Sequence, residues 1–139
     1  MTSESMTTGR RALILVVDRD PHIRALEAFF LNEAGFGVEF AADGLAALEM
    51  AREMKPDIII TEVLVPKLDG LALCRTVRKE AELKHTVVLV FSILAAATRA
   101  REAGADAFLM KPLAEQRLVQ TVRELLAQRA AARPVAELT

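Results

Sequence analysis

Four short apolar runs, each ending at polar residues, punctuate this chain. They are residues 13–17 before Asp18-Arg19-Asp20, residues 58–60 before Thr61-Glu62, residues 87–91 before Ser92, and residues 107–110 before Lys111-Pro112. Continuous β-branched runs of this length read as strands buried on both faces. A fifth run, residues 38–41, alternates apolar and charged with Glu39 pointing outward, and reads as an edge strand. Between the strands the period changes to that of helices. Ile23, Leu26 and Phe30 share one face, as do Ala47, Leu48, Ala51 and Met54. Leu71, Cys74 and Val77 form a third such face, and Leu118, Val122 and Leu125 a fourth. A short helix over residues 98–103 runs up to Gly104.

The helix ends carry their own signals. Asp20, Asp43 and Asp69 stand where N-caps belong, and Pro21 takes a first helical position, where its missing N–H costs nothing. Gly35 marks the end of the first helix and Pro56 the end of the second. The last helix is expected over residues 113–132, stopped by Arg133-Pro134. Strands alternating with helices at this spacing predict a parallel sheet covered on both faces. Right-handed crossovers leave few topologies, and the flavodoxin-like doubly wound α/β fold with five strands ordered 2-1-3-4-5 is the expectation. Residues 1–10 read as a disordered lead, 11–132 as one domain, and 133–139 as a loose tail. In such a sheet the C-terminal strand ends converge on one crevice. Asp18, Glu62, Ser92 and Lys111 should therefore meet.

Composition narrows the class. The 139 residues are 53% apolar with no Trp or Tyr, so the core is aliphatic. A formal net charge of −1 gives no field that would draw nucleic acid or an anionic membrane. Cys74 is the lone cysteine, a core position that fits a reducing compartment. No apolar run approaches a membrane span, and the first ten residues lack a signal-peptide core. A cytoplasmic location follows as the expectation. Arg117, Arg123 and Arg129 give the last helix a basic face, read as solvated rather than as a DNA reader. His22 and His85 lie far apart with no ligand spacing around them and read as surface residues.

Six pieces recur in order and at family spacing: Val16-Val17-Asp18-Arg19-Asp20-Pro21, Pro56-Asp57-Ile58-Ile59-Ile60, Pro66-Lys67-Leu68-Asp69-Gly70, Ser92, Gly104-Ala105-Asp106 and Lys111-Pro112. Through them the chain resembles the receiver domain of bacterial response regulators, over about residues 11–129. The resemblance implies phosphoryl transfer from a histidine kinase to an aspartate, a magnesium ion on two acids, a lysine that pairs with phosphoryl oxygens, and a hydroxyl that binds the phosphate and moves. It assigns the lysine to Lys111, the hydroxyl to Ser92 and the first acid to Asp18. The aromatic that swings with the hydroxyl falls on Phe108, which lacks the common tyrosine's hydroxyl. It also implies a cis Lys111-Pro112 peptide. Two positions depart from the pattern. Glu62 stands at the phosphoacceptor position, and Arg19 at the second metal-binding acid, unless the loop shifts and Asp20 takes that place. The segment between Ser92 and Gly104 is shorter than usual by about one helical turn.

Glutamate is one methylene longer than aspartate, so its carboxylate protrudes into the space of a phosphoryl group. It mimics that group only as a planar monoanion. Asp18, Glu62, Arg19 and Lys111 would form a pocket that is neutral without a metal. Arg19 or Lys111 would then pair with Glu62 in place of magnesium; the alternative leaves Arg19 in solvent. No cofactor is expected, and Asp18 and Glu62 are the candidates should Mg2+ bind. The reading is a receiver domain of two-component phosphorelay signalling that works as a phosphorylation-independent pseudo-receiver and not as an enzyme. The alternative is a phosphorylatable receiver using Glu62 or a neighbouring acid with Mg2+. Partners are expected to be proteins, a histidine kinase or a downstream signalling protein, with a homodimer through the last helix left open. Neither nucleic acid nor membrane is expected to bind this domain. A flavin-binding protein of similar fold is the third class. It is disfavoured because Asp18-Arg19-Asp20 would repel phosphate at the first strand end.

Overall fold

The computed structural model describes residues 11–112 and 114–138. In chain order the elements are β1 (Leu13–Val17), α1 (Pro21–Glu33), β2 (Gly37–Ala41), α2 (Gly44–Met54), β3 (Ile58–Thr61), α3 (Gly70–Lys79), β4 (Val87–Ser92), α4 (Ala97–Glu102), β5 (Ala107–Met110) and α5 (Glu115–Leu138). The strands pair in parallel in the order β2-β1-β3-β4-β5, as the alternating pattern predicts.

Successive side chains of a strand point to opposite faces, and two cores result. Leu15, Val17, Ile59, Val88 and Val90 face Ala47, Leu48 and Ala51 of α2, Cys74 and Val77 of α3, and Ala100 of α4. Ile14, Val16, Ile58, Ile60 and Leu89 face Leu31 of α1 with Leu118 and Val122 of α5. All three expected caps form. Asp20 accepts from the His22 N–H at 2.9 Å, Asp43 from Ala46 at 2.7 Å, and Asp69 from Leu71 and Ala72 at 2.8 and 2.9 Å.

Three expectations need correction. The buried face of α1 is not Ile23, Leu26 and Phe30: Leu26 is 52% exposed, and the buried residues are Glu27, Ala28 and Leu31. The helix is rotated so that the Glu27 carboxylate faces the sheet beside Leu31, while Leu26 faces solvent. Arg129 does not lie on a solvated face. Its guanidinium donates to the Asp57 carbonyl at 3.0 Å and to Asp57 Oδ1 at 2.8 Å, while Asp57 Oδ2 accepts from the Leu13 N–H at 2.7 Å. A charge-assisted contact thereby fastens α5 to the starts of β1 and β3. Finally, α5 begins at Glu115 and runs through Pro134 to Leu138, where a stop after residue 132 and a loose tail were expected. The alanines before Pro134 have the highest helix propensity; nothing else in the structure explains the passage through a proline. The disordered lead expected over residues 1–10 lies outside the described residues.

The start of α3 presses on the end of β3. A Cβ built on Gly70 would stand 2.1 Å from the Glu62 carbonyl oxygen, which is backbone and cannot yield cheaply. We expect Gly70→Ala to push α3 from β3 at a cost of about 2 kcal/mol, in the range of core overpacking. Urea denaturation measures this, and an unchanged midpoint would refute the close approach.

Candidate functional site

Four strands deliver side chains to one edge of the sheet. Glu62 follows β3 directly, and its N–H donates to the Val17 carbonyl at 3.0 Å, continuing the ladder by one residue. The ladder carries its carboxylate into the crevice, where the residue is only 6% exposed. Oε1 accepts from the Val63 N–H at 2.7 Å and from the hydroxyl of Ser92. Oε2 accepts from the Ile93 N–H at 3.2 Å and faces Lys111 Nζ at 3.3 Å. Ser92, at the end of β4, is fully buried, and its Oγ accepts from the Leu94 N–H at 3.0 Å. That leaves its single proton for Glu62.

Lys111 follows β5, and its N–H donates to the Ser92 carbonyl at 2.8 Å. The Lys111-Pro112 peptide is cis. The ammonium donates to Asp18 Oδ2 at 2.6 Å and lies 3.9 Å from Glu27 Oε2, with the Phe91 ring centroid at 5.3 Å. Burial pulls the Lys111 pKa down. The hydrogen bond and charge of Asp18, with Glu27 and Glu62 beyond it, outweigh that pull and hold it above its ordinary value. Asp18 is itself fixed: Oδ1 accepts from the Asp20 N–H at 2.9 Å, and its carbonyl accepts from Arg24 Nη1 at 2.8 Å.

The structure thus brings together Asp18, Glu62, Ser92 and Lys111. It leaves out Arg19, which is exposed and has no ion pair among the described residues, and Asp20, whose carboxylate caps α1. Consecutive residues diverge at a strand end, so Asp18 turns inward and Arg19 turns to water. The neutral pocket expected from Arg19 is therefore not the one that forms. Glu27 of α1 enters instead, making three carboxylates around one ammonium. Burial raises the Glu27 pKa most; Lys111 opposes this, Asp18 and Glu62 add to it, and the result is about 7 against an ordinary 4.5. Glu27 was missed in the sequence. Its signal is the spacing of four in Ile23–Glu27–Leu31, a carboxylate on an otherwise apolar stripe. Phe108 stands apart from the carboxylates. It is partly buried against the core beneath α4 and shares a surface hollow with Ala96, Thr98 and Met110.

Receiver magnesium needs several free oxygens in octahedral array. Here both Glu62 oxygens and both Asp18 oxygens already accept hydrogen bonds or face Lys111, and the second acid is an arginine in solvent. No group of three metal-ligating side chains stands ready among the described residues.

A family model for the response regulator receiver domain matches residues 14–123. The chain belongs to the response regulator receiver family. This receiver domain is 38% identical over 114 residues to the response regulator MprA of Mycobacterium ulcerans, covering 81% of this chain and 49% of that protein. The chain spans about half the length of the curated relatives it matches. A solved response regulator from Chloroflexus aurantiacus superposes with a TM-score of 0.81 at 34% identity, over 85% of this chain and 99% of that one. The chemotaxis response regulator CheY4 of Vibrio cholerae gives 0.79 at 30% identity, over 84% and 99%.

The Glu27 proton has a thermodynamic consequence. The folded state holds it more tightly than the unfolded state, so the contribution to stability is full below about pH 4.5 and lost as pH rises to about 7. At 1.36 kcal/mol per pKa unit the loss is about 3 kcal/mol. Urea denaturation of native protein and of Glu27→Gln across this window should show the slope in the first and a flatter curve in the second. Parallel curves would mean that Glu27 titrates normally.

Proposed function

We propose that this receiver domain signals without phosphorylation, with the Glu62 carboxylate as the permanent occupant of the phosphoryl position. One observation carries the reading: a single carboxylate takes the Ser92 hydroxyl and the Ile93 and Val63 N–H groups while facing Lys111. The hydroxyl and the lysine are the groups that, in the family, receive a phosphoryl group. Here they are satisfied by the protein itself.

The same contacts argue against transfer chemistry. A nucleophile must present a free oxygen in line with the donor, and both Glu62 oxygens are engaged. A misplacement of about 1 Å in such a step costs about 100-fold. Asp18 is held by Lys111 and Asp20 caps a helix, so neither neighbouring acid offers a replacement. The module therefore acts by protein–protein interaction and has no catalytic turnover of its own. Its partner is a histidine kinase or a downstream signalling protein, and no part of its activity depends on Mg2+. It works in the cytoplasm. One feature supports that placement: Cys74 is a buried free thiol, as fits a reducing compartment.

The test is a magnesium and beryllofluoride titration followed by two-dimensional NMR. Native protein should give no saturable shifts at Asp18, Glu62, Ser92 or Lys111, and a small phosphodonor should leave its mass unchanged. The double variant Arg19→Asp with Glu62→Asp should gain saturable magnesium binding. Saturable shifts in native protein that spread to Phe108 would establish the phosphorylatable receiver instead.

A further inference from the structure

The buried Glu27 has no part in the receiver chemistry described above, yet it lies closer to Lys111 than any solvent-facing acid does. The ammonium has three donor directions. Asp18 Oδ2 at 2.6 Å takes one and Glu62 Oε2 at 3.3 Å faces another. Glu27 Oε2, at 3.9 Å, is just beyond hydrogen-bond distance. The charged groups around Glu27 are therefore Asp18 from the end of β1, Glu62 from the end of β3, Lys111 from the end of β5, and Arg24 on its own helix. Arg24 is directed to the Asp18 carbonyl. Lys111 is the one cation shared by all three carboxylates.

We propose that Glu27 is a positioning residue whose proton controls how tightly Lys111 holds Glu62. With Glu27 protonated, the pocket carries two carboxylates for one ammonium, and Lys111 stays on Asp18 and Glu62. With Glu27 ionised, a third carboxylate competes for the same ammonium. The contact to Glu62 is the longer of the two existing ones, and it is the one that yields. The ammonium moves toward α1, and Glu62 is left on Ser92 and the two backbone N–H groups alone. The folded-state preference of Glu27 for its proton places this exchange near neutral pH. The pocket would then answer proton concentration where an ordinary receiver answers phosphate. This inference rests on the reading of Glu62 as the permanent occupant of the phosphoryl position.

The experiment follows side-chain carboxyl carbons and backbone amides by NMR from about pH 5 to pH 9, in native protein and in Glu27→Gln. In native protein the Glu27 carboxyl should titrate with a midpoint near 7, and the Glu62 carboxyl and the Ile93 amide should move with the same midpoint. In Glu27→Gln the Glu62 and Ile93 signals should stay flat over that range. A Glu27 midpoint near 4.5 would overturn the proposal from the native protein alone, even if the variant failed to fold. So would a Glu27 that titrates near 7 while Glu62 and Ile93 do not follow, or Ile93 titration that survives in Glu27→Gln. The underlying reading of Glu62 fails by a different sign: saturable beryllofluoride shifts at about pH 6, where Glu27 is protonated and Lys111 is on Glu62.

Discussion

An ammonium set among buried carboxylates is the contact on which the rest of this structure depends. Lys111 cannot be buried alone, because desolvation of an unpaired charge costs several kcal/mol. Asp18 and Glu62 cannot be buried without it for the same reason. The three residues come from the ends of β1, β3 and β5, so their pairing holds only while the strand order β2-β1-β3-β4-β5 and the register are kept. Packing in turn depends on the charges. Val17, Ile60 and Phe91 are buried directly beneath them, and a misplaced strand end would leave a charge against that apolar layer.

Glu62 gains its position from this arrangement. A carboxylate one methylene longer than the family's aspartate reaches the Ser92 hydroxyl and the Ile93 N–H, which an aspartate would leave for an incoming group. The backbone supplies the remainder. Gly70 lets α3 close on the Glu62 carbonyl, and the Glu62 N–H is tied to Val17. The Glu62 carboxylate and its peptide are thus held from both the side-chain and the main-chain side. Phe108 packs against the core cluster that includes Ala100 of the six-residue α4.

Much of this was legible in the residues. The strands announced themselves as β-branched runs, the three aspartate caps stood at the right offsets, and the alternation of elements left little freedom in the sheet. Asp18, Glu62, Ser92 and Lys111 could be brought together because strand ends in a parallel sheet share one edge. What was not legible depends on rotation and direction rather than on position. Arg19 follows Asp18 by one residue and so points away from it. Glu27 is buried because α1 is turned by about one residue step, roughly 100°, from the face that Leu26 and Phe30 suggested. Arg129 looks like a surface arginine until the path of α5 sets it against Asp57. A polar residue on an apolar stripe was the signal for Glu27, and it was weaker than the leucines around it.

In the proposed function, Lys111 and Glu62 close the pocket without metal or phosphate. A crystal structure of native protein grown with magnesium and beryllofluoride tests it most directly. In crystals grown at about pH 6, where Glu27 keeps its proton, Lys111 Nζ should lie between Asp18 and Glu62, with the Glu62 carboxylate on Ser92 and the Ile93 N–H and no ion in the crevice. An octahedral ion touching both Asp18 and Glu62, with Lys111 swung away, would contradict it.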